Sequence, residues 1–339
     1  MKTKMKYSIL VLIALVATSC SNVKIENYLT RENLKGKVLS YTEYSYEAVN
    51  RFGNIEKGKR YRESASVYDI KKKYDEKGNQ IEWNRYNSDG SLKSKWTCKY
   101  DEKGNQIEEN WYNSEGSLDS KHNYKYDEKG NKIEQNSYNS DGSLDSKLIS
   151  KYDHNGNMIE QNWYNLDGSL DYKSTYKYDD KGNQIEENWY NSGGSLDSRR
   201  TYKYDEKGNQ IEENRYNSNG SLNSRYTYKY DQKGNQIEEN WFNSDGSLES
   251  KWTKKYDEKA NQIEENWYNS DGSYDFKYTY KYDEKGNQIE WNSQNSDGSL
   301  RNKSTYKYEF DKQENWIQKI IYEDEIPKFI LERKYEYYN

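Results

Sequence analysis

The chain has 339 residues, with 53 Lys and Arg against 58 Asp and Glu for a net charge of −5, and a mean hydropathy of −1.46. Its aliphatic content alone excludes an ordinary globular core and argues for disorder. Ten Trp and 38 Tyr at fixed intervals argue the other way, because their large half-apolar surfaces tolerate water at the polar tip and stabilise a thin fold without an Ile/Leu/Val interior.

The N-terminus, MKTKMKYSILVLIALVATSC, carries Lys2, Lys4 and Lys6 ahead of an apolar run from Ile9 to Ala17. That run is too short to span a bilayer and has the layout of a secretion signal. The ATSC ending resembles a bacterial lipobox. The resemblance implies a signal peptide over 1–19, lipidation of Cys20, and a membrane anchor at the mature N-terminus. Ser21 rather than Asp after the Cys implies an outer-membrane address, with the leaflet open between periplasmic and surface-facing. Removal of 1–19 leaves 50 basic and 58 acidic residues, a net charge of about −8, which disfavours nucleic acid as a partner. Only Cys98 remains after Cys20, so no disulfide framework and no CxxC metal site is expected.

Residues 20–35 read as a linker and 36–73 as a degenerate N-terminal repeat or cap. From Tyr74 onward the pattern is strict. Tyr74, Tyr100, Tyr126, Tyr152, Tyr178, Tyr204, Tyr230, Tyr256, Tyr282 and Tyr308 stand 26 residues apart, which makes nine full units over 74–307. Residues 308–339 read as a C-terminal cap repeat, in which Glu314 replaces the turn Gly and apolar content rises.

Within a unit two turn signals alternate, DEKGN (as at Gly104-Asn105) and NSDGS or a close variant (Asp89-Gly90, Asp141-Gly142, Asn219-Gly220). Asp-Gly and Asn-Gly supply the positive φ that tight hairpin turns require. Segments of strand length lie between them, so each unit reads as a β-hairpin. Numbered from the repeat Tyr as zero, Ile stands at +7 in all nine units, and Trp stands at +11 in five (Trp111, Trp163, Trp189, Trp241, Trp267). In the first and last units Trp is at +9 (Trp83, Trp291), still on the same face of a strand. This predicts one aromatic and aliphatic face and one charged face. A four-residue EKGN loop sets Tyr100 opposite Ile107, Lys99 opposite Glu108, Cys98 opposite Glu109 and Lys95 opposite Tyr112. These are charge and cation–aromatic pairs that specify the register.

The fold class expected is all-β: tandem 26-residue β-hairpin repeats forming a long antiparallel meander, curled into a spiral or solenoid-like sheet with the Ile/Trp/Tyr face inward. A flat single-layer sheet held by Lys/Glu ladders is the alternative. At YKYDEKGN (124–131 and 280–287) the chain resembles the YD-repeat or Rhs-repeat family of bacterial surface and secreted proteins, over roughly 74–316. It is most similar to the short YD-repeat lipoproteins of Bacteroidota-type bacteria. The resemblance implies a spiral sheet of hairpins that in some members encloses a toxin and in others contacts carbohydrate or another cell. The 26-residue unit is longer and more regular than the family's, and neither a C-terminal toxin domain nor a self-cleaving segment is seen.

Nearly every polar residue recurs about nine times, whereas catalysis needs one site unlike its surroundings. His122 and His154 occupy different repeat positions, and Cys98 stands where other units have Tyr, so it reads as core-facing. No enzyme activity and no cofactor is expected. The acidic turns lack the ligand pattern of a calcium loop, and no metal site is assigned. Asn at +10 recurs in all nine units although Asn is disfavoured in mid-strand. It reads either as a ladder of stacked amides or as part of a ligand strip. The strip comprises Glu108, Asn110 and Tyr112, with Glu186, Asn188, Tyr190, Glu264, Asn266 and Tyr268 as its copies, on an exposed face suited to a sugar. The function expected is a non-enzymatic envelope lipoprotein whose array is a multivalent adhesion surface for a glycan or a surface protein. A structural spacer or shell without specific ligand, or an accessory of a polymorphic-toxin or secretion system, is the alternative.

Overall fold

The computed structural model describes residues 27–60, 69–87 and 89–339; the expected signal peptide and Cys20 lie outside them. The chain begins with a short helix α1 (Tyr28–Arg31), inside the stretch read as linker, then β1 (Val38–Arg51), β2 (Asn54–Arg60) and β3 (Asp69–Tyr74). Hairpin strands follow as β4 (Gln80–Tyr86), β5 (Leu92–Tyr100), β6 (Gln106–Tyr112), β7 (Leu118–Tyr126), β8 (Lys132–Asn139), β9 (Leu144–Tyr152), β10 (Met158–Tyr164) and β11 (Leu170–Tyr178). The array continues with β12 (Gln184–Asn191), β13 (Leu196–Tyr204), β14 (Gln210–Asn217), β15 (Leu222–Tyr230), β16 (Gln236–Asn243), β17 (Leu248–Tyr256) and β18 (Gln262–Asn269). It ends with β19 (Tyr274–Tyr282), β20 (Gln288–Gln294), β21 (Leu300–Phe310), β22 (Trp316–Glu323) and β23 (Ile326–Tyr337).

Both turn types have one geometry. In DEKGN the Asp101 N–H donates to Asn105 O at 2.9 Å and the Gly104 N–H to Asp101 O at 3.0 Å. In NSEGS the Asn113 N–H donates to Ser117 O at 3.0 Å and the Gly116 N–H to Asn113 O at 3.1 Å. These are three-residue loops in which only the Gly takes positive φ (88° at Gly104, 79° at Gly116), the type I turn plus left-handed residue of longer hairpins. The Asp of Asp-Gly stays at negative φ. Its carboxylate closes the loop instead, as when Ser143 N–H and Oγ–H both donate to Asp141 Oδ1.

The register runs as expected through Lys95–Tyr112, Cys98–Glu109 and Lys99–Glu108, then slips: Tyr100 pairs with Gln106, not Ile107. The shorter loop leaves one extra residue, which the strand absorbs as a bulge. The same slip recurs in every unit, for example at Tyr126–Lys132 and Tyr204–Gln210. Ile107 therefore sits at the bulge and is 37% exposed, which corrects its expected place in the interior. Across the bulge, the next unit's repeat Tyr donates its hydroxyl to the carbonyl of the bulged strand. Tyr126 bonds Gln106 O at 2.7 Å and Tyr204 bonds Gln184 O at 2.7 Å, so a side chain serves a carbonyl where ladder pairing is interrupted.

The expectation of an open spiral or solenoid, and the flat-sheet alternative with it, is overturned by the ends of the chain. β1 pairs antiparallel with β23 from Val38–Tyr337 to Glu47–Phe329, and on its other edge with β3 from Ser40–Lys73 to Glu43–Ile70. The meander thereby closes into a β-barrel. β1 and β3 to β23 make a ring of 22 strands, and β2 is a side hairpin on the C-terminal part of β1. Closure removes the two edges that an open array leaves unpaired. A barrel of this strand number is too wide for its own side chains to fill. Burial agrees: the buried hydrophobic cluster is Leu34, Val38, Tyr41 and Tyr74, at the seam where the first and last strands meet. Arg333 is locked there over Trp316 and Tyr41, 3.8 and 4.5 Å from the ring centroids, with Glu43 at 2.7 Å.

Candidate functional site

The strip read from the sequence falls on the charged face, and the structure brings its members together in each unit. Glu108 accepts from Lys99 Nζ at 2.7 Å on one oxygen and from Lys121 Nζ at 2.8 Å on the other, with Asn110 Nδ2 at 3.0 Å. Glu264 repeats this with Lys255 at 2.8 Å, Lys277 at 2.7 Å and Asn266 at 2.9 Å. Glu186 has Lys177 at 2.7 Å and Asn188 at 2.9 Å. In Glu108 and Glu160 the hydrogen-bonded ammonium groups of the two flanking strands hold the carboxyl down at about 2.

The Asn residues are buried, which corrects the expectation of an exposed amide: Asn110, Asn188 and Asn266 are 8%, 7% and 7% exposed. Asn110 and Asn266 also reach Thr97 and Thr253 Oγ1 at 3.4 and 3.2 Å. Mid-strand Asn is therefore accounted for by bonding to the neighbouring strand and to its own Glu. Tyr112, Tyr190 and Tyr268 remain half-buried, with Lys95, Lys173 and Lys251 opposite them.

The aromatic face holds a feature the sequence reading passed over. Position +9 is Glu or Gln in seven of nine units, and this polar column lies among the rings. Glu109 takes the indole N–H of Trp96 at 2.7 Å and of Trp111 at 2.8 Å on Oε1, and the Tyr124 hydroxyl at 2.7 Å and Gln106 Nε2 at 3.0 Å on Oε2. Burial pushes this carboxyl up, but the Tyr124 hydroxyl and the two indole donors outweigh it, and the net shift is downward. Glu187, with Tyr202 at 3.0 Å and Arg200 at 4.0 Å, is pushed up by burial, with neighbouring Glu213 adding to the rise. The signal was present in the alternation that put Trp at +11, since a Glu two residues earlier on the same face is within reach of the indole N–H, as in Trp111–Glu109 and Trp267–Glu265. Rings tile the same face, as in Trp163–Tyr172 (4.2 Å between centroids) and Trp252–Trp267 (3.8 Å).

His122 Nδ1 lies 2.9 Å from Ser137 Oγ, and His154 is exposed in a turn; the two are not brought together. Cys98 is buried, 4% exposed, as its core-facing reading requires. The turn carboxylates are engaged by their own loops, Asp101 with Asn105 N and Nδ2 at 2.8 and 2.9 Å. Among the described residues no cluster of three or more metal-ligating side chains is formed.

No family model matches the chain, and no curated protein does. Among solved structures, a crystal structure of TcdB2-TccC3 is similar over 82% of this chain and 17% of that chain, at 15% identity and a TM-score of 0.34. A porin-like protein from Bacteroides uniformis ATCC 8492 is similar over 89% of this chain and 99% of that chain, at 9% identity and a TM-score of 0.30. A porin-like protein from Bacteroides vulgatus ATCC 8482 is similar over 88% and 98%, at 12% identity and a TM-score of 0.24. This chain spans less than a fifth of the TcdB2-TccC3 chain it matches.

Proposed function

We propose that this chain is a non-enzymatic protein of the cell envelope whose repeat array serves as a hollow β-shell, with its aromatic, carboxylate-bearing face lining the enclosed volume. The observation that carries the reading is closure of the ring through β1–β23 and β1–β3. An adhesin needs only a long surface, whereas closure on 22 strands creates an inside. The exposed Lys column supports the choice of face: the side chains of Lys99, Lys177 and Lys255 on the charged face are 68%, 66% and 66% exposed, while Asn110, Asn188 and Asn266 in the column beside them are buried. The wall is not read as a lipid-facing barrel, because that requires an apolar outer band and both faces carry charge in most units. The lipid anchor at Cys20, the outer-membrane address and the YD-repeat kinship belong to the same proposal. Small-angle scattering from residues 21–339 tests it: a hollow-shell profile is expected, and the profile of a solid or extended particle rejects it.

Multivalent adhesion is retained as a second reading on one observation, the column of half-buried Tyr at +12. Successive copies lie two strands apart, about 9.5 Å, close to the length of a disaccharide in a β-1,4-linked chain. Binding on a glycan array that is lost when Tyr112, Tyr190 and Tyr268 are changed together to Ala favours this reading. No binding by folded protein removes it.

A further inference from the structure

The segment before β1 crosses the seam of the ring. At one end Asn27 Nδ2 donates to Lys77 O at 2.8 Å and Leu29 N–H to Gly78 O at 3.4 Å, the turn of the first unit. At the other end Lys35 exchanges bonds of 2.8 Å with the Asn315 side chain through both N–H and C=O, the matching turn of the C-terminal repeat, and Lys37 O accepts from Tyr338 N–H at 2.9 Å. In the middle, Glu32 takes Lys72 Nζ at 2.6 Å and the hydroxyls of Tyr74 at 2.9 Å and Tyr41 at 3.3 Å, and Leu34 enters the buried cluster.

Beneath this segment lies a short ladder. β1 and β3 share four residue pairs, against nine for β1 and β23. Side-chain ties across the same junction are Asp69 with Ser45 N–H and Arg60, and Tyr338 with Tyr74 O. We propose that residues 27–37 are a clasp that holds the ring shut, and that its release opens the barrel between β1 and β3. The clasp begins seven residues after Cys20 in the sequence, the anchor point of the proposed function. The opening gives a route to the enclosed volume, so this use of the clasp rests on the shell reading. The clasp itself is tested independently of anything the shell holds.

The protein carries its own reporter. Tyr28 of α1 lies within electrostatic reach of the Tyr100 and Cys98 side chains, and Cys98 is the sole thiol in residues 21–339. The test is the rate at which an aromatic disulfide reagent labels Cys98 in that protein. Glu32→Gln and Asn315→Ala are expected to speed labelling, Glu32→Gln by about tenfold or more, since it loses charge-assisted bonds. Tyr204→Phe, which removes one mid-array hydroxyl bond, leaves the rate unchanged. Labelling unaffected by both clasp variants, or as fast in the unaltered protein as in a free thiol, overturns the proposal. Hydrogen exchange on the unaltered protein gives a measure that needs no variant. Amides of 29–34 and 40–43 are expected to share one protection level, lower than that of β13 and β14, and separate levels overturn the clasp.

Discussion

The turn Gly of the repeat is needed because it sits in the left-handed region, where a Cβ costs roughly 1–2 kcal/mol. Unit 256–281 breaks the pattern: Ala260 takes the Gly position at φ 64°, and the same loop bonds form around it. Ala260→Gly is expected to stabilise the protein by about 1 kcal/mol, and Gly234→Ala, at φ 88° with no atom within 4 Å of the added Cβ, to destabilise it by a similar amount. Thermal or urea unfolding of the pair checks this, with opposite signs as the expected result. The repeat Tyr has an equally local reason, its hydroxyl bond across the bulge. Tyr126→Phe loses the bond to Gln106 O and is expected to cost about 1 kcal/mol, read as a lower urea midpoint with the slope unchanged.

Between strands, the recurring arrangement is a Glu held by a Lys from each neighbouring strand and by its own Asn. These carboxylates titrate lower in the folded chain than in the unfolded one, Glu108, Glu160, Glu238 and Glu264 falling to about 2. Their contribution to stability is therefore present above the unfolded carboxyl range and lost as pH falls through it toward about 2. Many equivalent sites protonate over one window, so unfolding by acid is expected to be steep between about pH 4.5 and pH 2. Circular dichroism against pH checks this. A stability that rises as pH falls through the window contradicts the ladder as described. Added salt weakens the exposed Lys members more than the buried Asn–Glu bonds.

At the level of the molecule, stability depends on the ends meeting. Removing residues 326–339 deletes β23 and leaves one edge each of β1 and β22 unpaired. The expected result is association through those edges, seen as high-mass species by light scattering. Removing one internal unit, residues 178–203, takes out two strands and preserves register at the junction, since Tyr204 replaces Tyr178. This variant is expected to remain a folded monomer on a smaller ring. Equal behaviour of the two deletions contradicts closure as the organising feature.

Hairpins, strand pairs and the two faces were legible in the sequence because they depend on neighbours within one 26-residue unit. The bulge at Ile107 was not, since it follows from a loop one residue shorter than the EKGN reading, and that single residue moved Ile outward. The strip residues were grouped correctly on one face, but accessibility is set by side chains from the flanking strands, and these bury Asn110 and saturate Glu108. The 26-residue spacing and the alternation within it by themselves determined that this is a repeat β structure with an aromatic and a charged side. Only the tertiary structure decided that it is a barrel. Curl and twist accumulate over 22 strands, and whether β1 arrives in register with β23 depends on contacts almost 300 residues apart, such as Glu43 with Arg333, which no local pattern encodes.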